Sequence, residues 1–332
     1  MPSAVFGVRL VRGIGMSGFL FAGQGAQYIG MGKDLWEEFP ISRSIFETVD
    51  KIVGFELSKL CFEGPLEQLT LTQNCQPAIL TVSIAALEAC KSVLGSRFSV
   101  FEYGAGLSLG EYSALVAAEA IDFRDAVYLV RRRGELMEEA GRNVPGGMLS
   151  IIGLDVGIVR EISSQTQTQI TNINCPGQVV ISGGKKEIGE AQKLAQAKGA
   201  RRAIVLEVSG AFHSTFMQEA ARRLFQELSK IKISMPKVPV VSNVTAKPFV
   251  SIEEIRDNLV KQVASCVLWE DSMRFILSRG VSMFIEFGPG KVLKGLMRQI
   301  EPSAQVQGIE SKADIIKLLS CVKVNNSVTE GI

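Results

Sequence analysis

Gly106, Leu107, Ser108, Leu109 and Gly110 form a G-x-S-x-G sequence, and few short patterns restrict a backbone as strongly. Glycine at both ends lets the chain bend tightly without Cβ clashes, so the pattern suits a sharp strand-to-helix turn that exposes the serine hydroxyl. The flanks agree. Val100 to Ala105 reads as a strand carrying Val100, Phe101 and Tyr103, and Glu111 to Ala118 reads as a helix of small residues. In that setting the first N–H groups of the helix aim at the oxygen of whatever acyl group the serine attacks. The same five residues also suit a plain glycine-rich turn, since three fixed positions recur by chance.

A serine at neutral pH needs a base to take its proton, and the usual base is histidine. The chain has one histidine, His213, in the run Ser209, Gly210, Ala211, Phe212, His213, Ser214. A helix is expected from about Thr215 to Ser229, so His213 stands at a helix N-terminus, where the positive end of the dipole disfavours imidazolium. A lone histidine is more often structural than catalytic, yet an exposed serine has no other imidazole here to draw on.

Composition narrows the class. With 332 residues, 46% hydrophobic and 21% charged, the chain can bury a sizeable core. A net charge of +2, with no zinc-finger spacing and no long basic run, gives no support for nucleic-acid binding. Cys61, Cys75, Cys90, Cys175, Cys266 and Cys321 are widely spaced with no CxxC, which indicates neither a disulfide scaffold nor a metal site and fits a reducing, cytoplasmic compartment. No apolar run approaches the ~20 residues of a membrane span. The first 33 residues lack Asp and Glu but carry Arg9 and Arg12, faintly like a targeting segment; Met16 immediately precedes the first strand, which favours an upstream extension.

Gly18 to Ala22 reads as a short strand entering a second glycine turn, Gly23 to Gln27. A dinucleotide fingerprint would need glycine where the chain has Tyr28, so the alternative is a loop that offers the Gln24 backbone N–H to an oxyanion. Residues 33 to 63 read as amphipathic helix and connection with Trp36, Phe39, Ile45 and Phe46 in the core, and Pro77 is expected to open a helix from Ala78 to Val93. Asp122 caps a helix to about Ala140, on which Arg133 has Leu129, Val130, Leu136 and Met137 as its i±3 and i±4 neighbours. A guanidinium among apolar side chains calls for an anion, supplied either by an internal carboxylate or by a ligand's carboxylate held bidentately.

After Pro145, Gly146 and Gly147 the pattern changes. Met148–Leu154, Gln169–Asn174, Gln178–Ser182 and Ala203–Val208 read as strands, with helices at Val156–Ser164 and Lys186–Ala197. That order, βαββαβ, is a ferredoxin-like unit, expected at 144–209 as an insert in an α/β core of 17–143 and 210–320. Val238–Val244 and Val281–Phe287 read as further core strands, the second ending in a Gly288, Pro289, Gly290 turn, and residues 1–16 and 321–332 read as flexible termini.

Taken together, the chain from about Gly18 to Leu319 closely resembles bacterial malonyl-CoA:acyl carrier protein transacylases and the acyltransferase domains of polyketide and fatty-acid synthases. The Gly23–Gln27 loop, the serine turn extended by Glu111 and Tyr112, Arg133 with Gly134, Asn172 to Ser182, Ala211 to Ser214, Asn243 with Val244, Gln262, and Glu286 to Val292 carry the resemblance. It implies a hydrolase-like α/β core with a parallel sheet, the ferredoxin-like insert, and a site in the cleft between them. It further implies Ser108 as nucleophile, His213 as base, and the Gln24 and Leu109 N–H groups as oxyanion hole. Arg133 and Gln262 are the implied substrate-binding residues, Arg133 as holder of a malonyl carboxylate, and a carbonyl near Gln262 is implied to orient His213 in place of a triad acid. Ala211, Phe212 and His213 match the form that accompanies malonyl rather than methylmalonyl selection.

The implied reaction is ping-pong transfer of malonyl from malonyl-CoA to the phosphopantetheine thiol of holo acyl carrier protein, with no cofactor, no metal, no nucleic acid and no membrane, by a monomer. Lys185, Lys186, Arg201 and Arg202 are candidate contacts for an acidic carrier protein. One departure stands out: the family usually has histidine before the nucleophile, and this chain has Leu107. The rivals are a serine esterase or thioesterase, which would need an Asp or Glu as triad acid, and a weakly active carrier-protein docking module, suggested by Leu107 alone.

Overall fold

The structure, a computed structural model, describes residues 17–326 apart from 96, 97, 99 and 100. The expected flexible segment 1–16, the stretch 327–332 and Val100, the expected start of the second strand, lie outside the described residues. The terminal helix Lys312–Asn326 runs six residues into the other segment expected to be flexible.

In chain order the strands are β1 Ser17–Phe21, β2 Tyr103–Gly106, β3 Gly146–Ile152, β4 Gln169–Cys175, β5 Gln178–Gly184, β6 Arg202–Val205, β7 Val267–Leu268, β8 Met283–Phe287 and β9 Gln305–Ile309. One sheet has the order β2-β1-β8-β9 with every pairing parallel. Helices cover a parallel sheet on both faces, which is why β1 reads as an unbroken buried run rather than an alternating one. Val238–Val244 is not a strand of this sheet. Only Val240 lies beside β2, with Gly104 N–H donating to Pro239 O and Val241 N–H to Gly104 O, each at 2.9 Å. Pro239 has no N–H to extend the ladder, and the chain turns at Asn243 and Val244.

The second sheet has the order β6-β3-β5-β4-β7. Its first four strands pair antiparallel and, with the helices Val156–Thr166 and Lys185–Ala197, follow the βαββαβ order read from the sequence. They enclose a hydrophobic cluster of their own that includes Leu149, Ile151, Val159, Ile162, Val179, Ile181 and Ile188. β7 comes from beyond this unit and pairs parallel to β4, Asn172 with Val267 and Ile173 with Leu268.

The helix expected to start at Pro77 starts at Thr72 and runs to Leu94 with Pro77 inside it. Proline at 77 cannot donate to Gln73 O, four residues back. Arg131 Nη1 occupies that carbonyl instead, at 3.0 Å, so a tertiary donor replaces the lost helical bond. At 23 residues, with a stretch of mean hydropathy 1.5, this helix is long and apolar enough by length and composition to cross a membrane, contrary to the expectation from the sequence; 78% of that stretch is buried inside the protein, where it forms the central core helix. It packs against Phe123–Asn143, whose Asp122 caps it by accepting from Arg124 N–H. A Cβ at Gly134 would lie 2.7 Å from Thr72 O and from Gln73 Cα, so glycine is what lets the two helices approach this closely.

Candidate active site

Two glycines shape the serine turn by close approach. A Cβ on Gly106 would sit 1.9 Å from the carbonyl of Gly110, and one on Gly110 would sit 2.2 Å from Phe21 O at the end of β1. Ser108 between them has φ 51°, a left-handed conformation unfavourable for a residue with a Cβ. Its peptide groups are clamped: Ser108 N–H donates to Asn243 Oδ1 at 2.6 Å, and Ser108 O accepts from Gln262 Nε2 at 2.9 Å. Asn243 Nδ2 in turn donates to Gly106 O at 2.8 Å, closing a brace across the turn.

Ser108 Oγ lies 2.8 Å from His213 Nε2, although the two residues are 105 apart in sequence. His213 Nδ1 lies 2.6 Å from the backbone carbonyl of Gln262. A carbonyl only accepts, so Nδ1 carries the proton and Nε2 presents a lone pair to the Ser108 hydroxyl. Burial, then the nearby Arg133 charge, push the His213 pKa down to about 4, opposed by the Gln262 carbonyl. The dipole expected from the sequence gives way to these causes, because only the 3-10 turn Thr215–Met217 follows His213 and the helix proper starts at Gln218. Among the described residues no carboxylate takes the triad-acid position, which removes the feature that the esterase reading requires.

Arg133 is buried, and its Nη2 donates to Ser108 Oγ at 3.0 Å and to Gln262 Oε1 at 2.9 Å, while Nη1 donates to Gln76 Oε1 at 2.7 Å. Its Nε has no partner among the described residues. Nor does any carboxylate among them reach it within ion-pair distance, so the internal-carboxylate reading of this arginine fails. Burial holds its pKa below the ordinary guanidinium value, against the favourable influence of Tyr112 and Glu111.

Glu111 is the acidic group that influences Arg133, and both its oxygens are engaged: Oε1 accepts from Asn243 N–H at 3.0 Å and Oε2 from Gln262 Nε2. Burial raises its pKa to about 8, against those hydrogen bonds and Arg133. Gln262 thus reaches Arg133, Glu111 and Ser108 O with its side chain and His213 with its carbonyl. It is fully buried, and its side chain braces groups that line the cavity.

Those groups open on a cavity of about 370 Å³. Gln24, Ser108, Arg133 and His213 line it from the core, Ser150, Asn172, Asn174 and Gln178 from the second sheet, and Leu107, Met137, Met148 and Phe212 give it apolar walls. Neither the Gln24 nor the Leu109 backbone N–H has an acceptor among the described residues.

Residues 18–318 match the acyl transferase domain family. The chain belongs to that family. Its relatives include the malonyl CoA-acyl carrier protein transacylase of Bacillus subtilis, 44% identical over 313 residues that cover 93% of this chain and 98% of that one. Among solved structures, the Coxiella burnetii malonyl CoA-acyl carrier protein transacylase is similar with a TM-score of 0.88 and 36% identity, over 92% of this chain and 97% of that one. A malonyl-transacylase in complex with its holo type II polyketide-synthase acyl-carrier protein gives a TM-score of 0.86 at 38% identity, over 91% and 98%.

Three members of this acyl transferase site escape residue-by-residue reading. Gln76, Glu111 and the Asn243 side chain are buried polar groups near helix starts or in a turn, and their partners lie 57, 151 and 135 residues away. Glu111 and Asn243 enter only through the family resemblance, and Gln76, in the polar run Gln73, Asn74, Cys75 before Pro77, leaves no local signal.

Proposed function

We propose that this chain transfers a malonyl group from malonyl-CoA to the phosphopantetheine thiol of holo acyl carrier protein through a malonyl-Ser108 ester. The observation that carries the reading is a buried arginine without a carboxylate partner among the described residues, 3.0 Å from the hydroxyl of a serine that is itself 2.8 Å from a neutral histidine. The names of the family relatives point the same way.

As Ser108 Oγ attacks the thioester carbonyl, its proton passes to His213 Nε2, and the N–H groups of Gln24 and Leu109 receive the developing oxyanion. The C–S bond breaks, and the departing thiolate of coenzyme A takes the proton back from His213. In the second half the pantetheine thiol gives its proton to Nε2 and attacks the ester, and Ser108 leaves with that proton. The Gln262 carbonyl stabilises the transient imidazolium through Nδ1–H in the role a triad acid fills elsewhere. Arg133 holds the malonyl carboxylate throughout.

A second cleft of about 670 Å³ shares Gln178, Val292 and Leu296 with the cavity and carries Arg201 and Lys291. Of the four basic residues singled out for carrier-protein contact, Arg201 is the one beside this approach, while Lys186 pairs with Glu190 on the exposed helix. We take residues 144–209 as a separate unit over the core, supported by their own hydrophobic cluster, and the site as the work of a monomer, since one chain supplies every group named.

The deciding experiment is intact mass after brief exposure to malonyl-CoA without acceptor. One malonyl group should add to the protein. Ser108→Ala should abolish the adduct and His213→Ala should slow its formation by orders of magnitude. An adduct that persists in the Ser108 variant overturns the assignment.

A further inference from the structure

Arg133 is held on both sides by amides. Nη1 donates to Gln76 Oε1 at 2.7 Å and Nη2 to Gln262 Oε1 at 2.9 Å, and both acceptors are neutral. Gln76 is fully buried on the Thr72–Leu94 helix, brought to Arg133 by the close helix approach that Gly134 allows. Its amide has a defined orientation: Nε2 donates to the thioether of Met137 at 3.5 Å, an acceptor only, so the carbonyl end faces the guanidinium. Elsewhere on the same helix as Arg133 the chain does pair arginine with carboxylate, Arg131 and Arg132 both meeting Glu135. The carboxylate that influences Arg133, Glu111, is bound by Asn243 N–H and Gln262 Nε2 rather than by the guanidinium.

We propose that Gln76 is a positioning residue that sets acyl specificity: its neutral carbonyl aims the Arg133 fork at the cavity without discharging it, which reserves the positive charge for the carboxylate of a dicarboxylic acyl-CoA. Glutamate at 76 would occupy the same volume and make an internal ion pair with Nη1. An incoming carboxylate would then meet a guanidinium already neutralised and a resident anion beside it. A neutral acyl group has nothing to lose by that change. The pairing with glutamine is thus what separates a carboxylate-selecting pocket from one indifferent to the acyl charge. This rests on the proposed role of Arg133, and the geometry of Glu111 supports it, because both its oxygens are already taken by Asn243 N–H and Gln262 Nε2 rather than by the guanidinium.

The test compares kcat/KM for malonyl-CoA and acetyl-CoA in the wild type, Gln76→Glu, Gln76→Met and Arg133→Ala, each shown to be folded by its thermal melt. Gln76→Glu should lower malonyl transfer by about a hundredfold and acetyl transfer by less than about fivefold, since a like charge beside the carboxylate is repulsive in a desolvated site. Gln76→Met, neutral and of similar length but without the carbonyl that aims the fork, should lower the malonyl-to-acetyl ratio by no more than about tenfold, well short of the loss in Gln76→Glu. An unchanged ratio in Gln76→Glu, or a ratio that collapses as far in Gln76→Met as in Arg133→Ala, overturns the inference. Arg133→Ala separates the two levels: if it lowers both substrates alike, the reading of Arg133 fails; if it collapses the ratio while Gln76→Glu does not, only the role of Gln76 fails.

Discussion

Arg131, Arg132 and Arg133 follow one another on a single helix and receive opposite treatment. On the outer side Arg131 Nε meets Glu135 at 2.8 Å, and Arg132 meets Glu135 as well as Glu227, the latter at 3.6 Å. On the inner side Arg133 meets two amides, a hydroxyl and the face of Tyr112 at 5.7 Å. A rotation of about 100° per residue is enough to take a guanidinium from a solvated ion-pair network to a buried pocket. What separates the two sides is where charge is left available. The two outer arginines are neutralised where water would screen them anyway, whereas the inner one keeps its charge where burial makes an anion most valuable.

The contrast between the two sides is most exposed at Arg133. Arg133→Ala should lower the malonyl-to-acetyl ratio of kcat/KM by about a hundredfold, from the loss of a charge-assisted pair of roughly 2 to 5 kcal/mol. Equal losses for both substrates would make it as structural as its neighbours. The next effect is on pH. With His213 held near pH 4, neutral imidazole persists through the range in which an ordinary histidine, of pKa 6.5, would charge. Single-turnover formation of the serine adduct should therefore stay level from about pH 8 to about pH 5 and fall as pH approaches 4. The stability linked to His213 follows the same sign: it is fully present above 6.5 and lost as pH falls from there toward about 4. Replacing Arg133 by Met removes a positive charge that depresses the histidine, so the acid limb should move to higher pH; an unmoved limb would mean that burial alone sets it.

Smaller effects belong to the outer face. Arg131→Ala withdraws the donor from Gln73 O, the carbonyl that Pro77 leaves open, and from Asn74 Oδ1, and should cost about 1 kcal/mol in thermal or urea unfolding with the substrate ratio unchanged. Arg132→Ala breaks only partly exposed ion pairs and should cost less than about 1 kcal/mol by the same measurement. A substrate ratio that shifts with either variant would erase the distinction between the two faces.

The sequence shows the groups proposed to react better than their supports. Ser108 and His213 are legible because only certain residue types can do their chemistry, and Arg133 because a guanidinium stands out in an apolar periodicity. Gln262 is less legible for a physical reason: nothing local distinguishes a glutamine that touches substrate from one whose amide is enclosed by Arg133, Glu111 and Ser108. The βαββαβ order follows from alternation and turn residues, yet the joining of β7 to β4 has no local signature in a two-residue strand. Pro77 is a similar case. Its local rule places it at the start of a helix, and a side chain from a different helix overrides that rule.

The bridge between β4 and β7 also bears on how such a protein can be recombined. Residues 144–209 look like a cassette, the natural piece to exchange when a different acceptor is wanted. Yet Asn172, which lines the cavity, pairs in register with Val267, and Val267 follows by five positions the Gln262 whose carbonyl holds His213. A graft cut at 144 and 209 would set a foreign strand edge against the native Val267 and Leu268, and any misfit there would be delivered to the histidine. The exchangeable part is therefore discontinuous, and Val267 and Leu268 must travel with it.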